Sequence, residues 1–359
     1  MNIQIRNIVI AVLCAAGLSS CAKWTDPESI PIKYPNIKED NPALYEEYLS
    51  SIRDYRKSEH KVVIAKFDNK ATAPGGRAEH INCLPDSIDY VVLTHPDNLH
   101  PMIVEEMAEI REKKGIRTLY SISHDALEKE YKAYLEEWDN THPEQEGAEA
   151  PADVPVGLEE FISGKLDVYF SYMDKYGYDG IIMGYTGLFP ESMTGQTLEN
   201  YRASQARFFD RFNELFTANP DKLLFFEGMP VNVIYDQSFF DRCKYIIADA
   251  TDAVNIGEIG YKTTMALGNR IPLDRIVAGV AAPSLDDPKD ERGLFTGKDS
   301  KGNPRSAIVG AGEWAAEKYE HYTRAGICIM RSQNDYYNIG NTYGNIRKAI
   351  SIMNPSPLN

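Results

Sequence analysis

The chain has 359 residues, 43% of them hydrophobic and 25% charged, and a formal net charge of -15 at pH 7. That acidic balance excludes nucleic acid and anionic membrane surfaces as partners, since both need a basic face. The length suits one large α/β domain.

At the N-terminus, Arg6 precedes the apolar run from Ile8 to Ala16, which has the length of an export-signal core and is too short to span a bilayer. Leu18-Ser19-Ser20-Cys21 follows and resembles a lipobox, in which the Cys21 thiol is diacylated and the peptide is cut just before it. Residues 1–21 are therefore expected to be a lipoprotein signal ending at the lipidated Cys21. Residues 22–42, rich in Pro, Asp, Glu and Lys, are expected to form an extended tether. The acidic residues behind Cys21 resemble the surface-export signal of Bacteroidetes lipoproteins, although Lys23-Trp24 interrupts the usual acidic cluster. The expected location is the outer membrane of a Gram-negative bacterium, with the lipid as the only membrane contact and the cell surface favoured over the periplasmic face.

From residue 43 onward, short runs rich in Val, Ile and aromatics recur between amphipathic stretches, the pattern of repeated βα units. Eight strands are predicted, at 62–67, 90–93, 117–122, 180–183, 223–226, 245–248, 276–280 and 327–330. Helices are predicted at 102–114, 158–176 and 198–216, where apolar residues fall at three- and four-residue spacing. Residues 139–156 carry Pro, Glu and Ala without periodicity and read as a solvated acidic insertion. Eight near-continuous apolar strands separated by helices predict a closed (β/α)8 barrel, an α/β fold in a single domain. Cys83, Cys243 and Cys328 are expected as free thiols, with a Cys83–Cys243 bridge as the alternative. No CxxC or HxxxH spacing appears, so neither a metal nor another cofactor is expected.

The fourth strand carries the most specific signal. Tyr176-Gly177-Tyr178-Asp179-Gly180 and the residues up to Thr186 resemble the D-G-x-D-x-D-x-E segment of glycoside hydrolase family 18, the chitinases and endo-β-N-acetylglucosaminidases. Only the opening Asp179-Gly180 is kept. Ile182, Gly184 and Thr186 stand where the family has its second Asp, its third Asp and its catalytic Glu. The resemblance implies a substrate-assisted mechanism in which that Glu protonates the glycosidic oxygen and the Asp before it orients the substrate's acetamido group. A threonine hydroxyl supplies little of the ~10²- to 10⁴-fold that general acid catalysis contributes. Asp179 itself is expected to cap the start of the strand.

Sites in such barrels lie on the loops after the strands' C-terminal ends. Flat aromatic faces and planar polar groups there suit sugars, so Tyr185 and Phe189 after strand four, and Asn334, Tyr336 and Tyr337 after strand eight, are candidate ligand contacts. Glu227 and Asp249, immediately after buried strands, are expected either to face the ligand or to pair with Arg331 at the mouth. His95, Trp138 and Trp314 read as structural. The resemblance and the anchor together imply a non-catalytic surface protein that captures glycans, N-acetylglucosamine-containing ones among them, for an outer-membrane import system. The alternative is an active glycosidase using a relocated acid, for which Glu227 is the best candidate.

Overall fold

The computed structural model describes residues 37–142, 154–268, 271–298 and 302–355. The export signal, Cys21, the greater part of the tether and the centre of the acidic insertion lie outside them. The chain divides at residue 47 into two compact units. The first holds, among its described residues, a helical turn at Ile37–Asp40 and the opening of helix α1, Pro42–Lys57. The tether expected to residue 42 is thus helical at its end. The Asn41 side chain accepts from the Leu44 amide at 3.1 Å and Pro42 holds the first helical position, two features that start a helix.

The second unit is a closed barrel of parallel strands. In chain order these are β1 (Val62–Phe67), β2 (Tyr90–Leu93), β3 (Arg117–Ser123), β4 (Gly180–Tyr185), β5 (Leu223–Gly228), β6 (Ile246–Asp249), β7 (Ile276–Ala281) and β10 (Arg324–Met330). Around the ring they run β1-β10-β7-β6-β5-β4-β3-β2. Each of the eight predicted strands is present, most of them a residue or more longer than the apolar run that marks them.

An antiparallel pair, β8 (Leu294–Lys298) with β9 (Pro304–Ser306), interrupts the chain between β7 and the next helix. It carries no apolar run, and Phe295 is the one hydrophobic side chain it buries. The sequence reading therefore omits it.

Helices α2 (Pro101–Lys114), α3 (His124–Thr141), α4 (Leu158–Tyr176), α5 (Gly195–Ala218), α6 (Ile256–Leu267), α7 (Ala307–Ala316) and α8 (Gly344–Met353) complete the unit. Left-handed glycines end two of them, Gly115 (φ 71°) after α2 and Gly177 (φ 70°) after α4. Helix α3 runs to Thr141, so the insertion expected from residue 139 starts only beyond it. Trp138 stacks on His142 at 4.0 Å there, and Trp314 is buried, both in structural settings. Cys83, Cys243 and Cys328 are free thiols, the last two buried.

Strand parity separates two apolar clusters. Val62, Ile64, Val92, Leu119, Ile182, Phe225, Ile247, Val277 and Cys328 fill the barrel interior. Alternate residues, such as Ile181, Met183 and Tyr185 on β4, pack outward among the helices.

Asp179-Gly180 makes the entry into β4 possible. A Cβ on Gly180 would lie 2.0 Å from the Leu223 carbonyl oxygen of β5, so only glycine allows the strands to pair there. The Asp179 carboxylate accepts from Arg111 Nε (2.9 and 3.0 Å), Arg117 Nη1 (2.9 Å) and the Thr118 amide (2.9 Å), tying α2 and β3 to β4 at the floor of the barrel. Burial pushes this carboxyl up, but the Arg111, Thr118 and Arg117 donors outweigh burial and hold it below its ordinary value. Its contribution to stability is therefore present above the unfolded-state pKa and is lost as pH falls through the depressed one. Asp179→Asn is expected to lower unfolding free energy by about 3 kcal/mol at neutral pH and to flatten the fall in stability below about pH 4, as read by urea denaturation across pH.

Candidate functional site

The mouth at the C-terminal ends of the strands is where a closed parallel barrel presents a site. Its floor is an ion pair. Lys66 follows Val62 and Ile64 with the same inward parity, and Glu227 follows Phe225. In the ring, β1 and β5 stand four places apart in either direction, so these two residues face each other across the barrel axis. Lys66 Nζ lies 2.6 Å from Glu227 Oε1 and 2.5 Å from Oε2.

Lys66 is only 8% exposed, so its charge must be compensated. Desolvation pulls its pKa down, but the Glu227 charge and hydrogen bond, with a further contribution from Asp249, outweigh it and the net shift is upward. Lys66 is therefore held as the ammonium, facing both oxygens of Glu227. This corrects the expectation for Glu227: its partner is Lys66, not Arg331, and both carboxylate oxygens are engaged. A lysine at the end of a strand ordinarily snorkels to solvent, which hid it in the sequence; its parity with Val62 and Ile64 was the available signal.

On β4 the inward positions are Ile182, in the apolar interior, then Gly184 and Thr186. Gly184 pairs with Glu227 across the β4–β5 ladder, so the strand presents bare backbone beside that carboxylate. A Cβ at Gly184 would sit 3.2 Å from Ser123, and a larger side chain there would press on β3. Thr186 is exposed at the rim; its amide donates to Asp125 Oδ2 at 3.0 Å and its carbonyl accepts from Asn232 Nδ2 at 2.8 Å. Asp125 Oδ1 accepts from the Gly187 amide at 3.4 Å.

Tyr185 does not face the cleft. The parity that turns Thr186 inward turns Tyr185 outward, where it is 3% exposed, packs against His124, Phe208 and Phe209, and takes a hydrogen bond from Gln205 Nε2 at 3.0 Å. Burial drives its hydroxyl pKa far above the ordinary value.

Of the other predicted contacts, Phe189 is half-exposed after β4 and Tyr337 is 62% exposed after β10. Those strands stand opposite in the ring, so the loops that carry the two residues leave it at opposite sides. Tyr336 is partly buried, edge-on to Tyr343 at 5.5 Å, and belongs to the packing under that loop. Asn334 donates from Nδ2 to the Pro283 carbonyl at 2.9 Å, joining the loops after β7 and β10. Asp249 is exposed at the end of β6 and accepts from the Thr251 amide at 2.9 Å. Arg331, in left-handed backbone (φ 56°), donates from Nη1 to Asp290 at 2.5 Å, while its Nε and Nη2 have no partner. Arg292 and Arg331 hold the Asp290 carboxyl well below the usual range. His95, beside Asp68 at 3.1 Å after β2, is largely exposed at the same face.

The sequence pattern of glycoside hydrolase family 18, BT1044-like, matches residues 25–352. No curated protein matches by sequence. Among solved structures, a selenomethionyl Glu-to-Gln variant of BT1044 superposes with a TM-score of 0.58 at 16% identity, covering 90% of this chain and 98% of that one. A putative chitinase A from Streptomyces coelicolor gives 0.48 at 10% identity over 82% and 98%. Catalytic domain 2 of the Ostrinia furnacalis group II chitinase, in complex with penta-N-acetylchitooctaose, gives 0.48 at 11% over 82% and 96%.

Removing one member of the axial pair leaves the other charge uncompensated. Lys66→Met is expected to cost about 3 kcal/mol of stability, and Lys66→Met with Glu227→Leu to recover most of it, measured by guanidinium denaturation. Two strictly additive losses would mean that the charges are not coupled.

Proposed function

The chain belongs to glycoside hydrolase family 18, in its BT1044-like group, and on that premise we propose that it holds glycans without cleaving them. Thr186 carries this reading. At the position of the family's proton donor it offers a hydroxyl whose pKa is far too high for general acid catalysis near neutrality. Gly184, two residues earlier, offers no carboxylate to orient an acetamido group or to stabilise the positive charge that develops as the N-acetyl oxygen attacks.

The neighbouring carboxylates do not replace the missing acid. Both oxygens of Glu227 are taken up by the Lys66 ammonium, so neither is turned to a ligand in the mouth. Asp125 is occupied by the Thr186 and Gly187 backbone amides. What remains suits binding: two exposed aromatic rings on loops that follow opposite strands, an ion pair across the barrel axis, and the Arg331 donors that the protein leaves unpartnered.

The ligand class is a glycan, with N-acetylglucosamine-containing chains the first to test because the family acts on them. Location extends the reading. A protein lipidated at Cys21 and held at the outer face of the outer membrane would concentrate glycan for an import system in the same membrane. Labelling with a radioactive fatty acid that is lost in Cys21→Ala, together with protease accessibility on intact cells, checks the anchor and its face.

The functional test incubates the protein with N-glycoproteins and chitooligosaccharides, following released glycan by mass spectrometry and binding by calorimetry. The expected outcome is binding with no release, weakened roughly tenfold by Phe189→Ala or Tyr337→Ala, equivalent to about 1.4 kcal/mol per ring. Release of glycan that disappears in Glu227→Gln would overturn the proposal in favour of a relocated acid.

A further inference from the structure

Helix α3 begins where β3 ends, and its first residues place His124, Asp125 and Glu128 together at the rim of the barrel. We propose that these three residues bind one divalent transition cation of the zinc class. Their donor atoms all lie within 4.8 Å of one another, with His124 Nδ1 3.9 Å from Glu128 Oε1. Spacing of i and i+4 puts the imidazole and the glutamate on one face of the helix, and Asp125 reaches the same point from the adjacent position.

The second observation is His124 itself. It is 4% exposed, and neither ring nitrogen has a hydrogen-bond partner. Its ring is wedged between Phe208, edge-on at 4.9 Å, and Tyr185 at 5.1 Å, so it cannot turn to find one. A buried polar group left unpaired costs about 1–3 kcal/mol, and such a group calls for a ligand or an ordered water.

The donor set selects the ion. One imidazole nitrogen with two carboxylate oxygens suits Zn²⁺ and its neighbours, whereas Ca²⁺ and Mg²⁺ take oxygen ligands in larger number. The two carboxylates would balance the ion's charge. Metal–ligand bonds of about 2.0–2.2 Å require the donors to close slightly from their present separations. Asp125 is partly exposed and the Glu128 side chain 43% exposed, which leaves both room to adjust around His124. Three protein ligands leave a coordination position for water. Other charges near His124 line a cavity of about 250 Å³ between α4 and α5, namely Glu159, Arg207, Asp210 and Arg211. Arg207 pairs with Glu159, and Arg211 with Asp167. A water in that cavity is the competing partner for the imidazole.

The site would also bear on the cleft. Asp125 receives the Thr186 and Gly187 amides, so an ion bound to the same carboxylate would tie the loop after β4, which leads to Phe189, to the start of α3. The proposal is separate from the glycan reading, and neither depends on the other.

The test uses the full chain purified in detergent and stripped with a chelator. Titration with Zn²⁺ by calorimetry, and metal analysis after gel filtration, are expected to give one equivalent. Glu128→Gln and Asp125→Asn are each expected to weaken binding at least about tenfold. Co²⁺ in place of Zn²⁺ is expected to give visible absorption bands that Glu128→Gln abolishes. His124→Ala opens a hole in the packing and can unfold the chain; Glu128→Gln, on a half-exposed side chain, tests the site in a folded protein. Failure to retain zinc in stoichiometric amount, or wild-type affinity in Glu128→Gln, overturns the proposal and leaves a water as the partner of His124.

Discussion

The barrel is closed near its C-terminal mouth by one ion pair across its axis. Below Lys66 and Glu227 the interior is filled with aliphatic and aromatic side chains from all eight barrel strands or their edges. Above the pair lie the loops. Two charges at such a boundary are costly to desolvate, and the cost is met only because the partners face each other directly and Glu227 keeps part of its surface in water. That geometry requires every strand to hold its register, since a shift of one residue on β1 or β5 would replace a charge in the interior with Phe67 or Phe226.

The same pair fixes what the mouth can do. A carboxylate at the end of a barrel strand is the usual place to look for an acid, and in this family an acid is what the chemistry needs. Here the best-placed one is committed to a lysine from the opposite wall. The inward positions of β4 are Ile182, Gly184 and Thr186, none of them a carboxylate. The interior gains apolar packing at Ile182, and the space beside Glu227 is left to backbone.

Asp179-Gly180, the pair that resembles the family motif, builds the fold. Asp179 gathers two arginines and a backbone amide at the floor of the barrel, and Gly180 permits a strand contact that no other residue could make. Both lie at the N-terminal ends of the strands, the face that carries stability, while Gly184 and Thr186 lie toward the opposite face, where barrels carry chemistry.

The eight barrel strands were legible from the sequence because each is a short apolar run, and such runs report local periodicity. Period two also contained more than was read from it: the alternation that turns Ile182, Gly184 and Thr186 inward sends Tyr185 outward, and the one that turns Val62 and Ile64 inward carries Lys66 with them. The hairpin of β8 and β9 left no such trace, because Phe295 is the one hydrophobic side chain it buries. Partner choice was beyond the sequence altogether. Lys66 and Glu227 are 161 positions apart, and Arg331 turns to Asp290 instead of to Glu227. Local pattern decides which residues form strands and which way they point; only ring closure decides what each inward residue finds on the far wall, because that depends on the order and stagger of all eight strands at once.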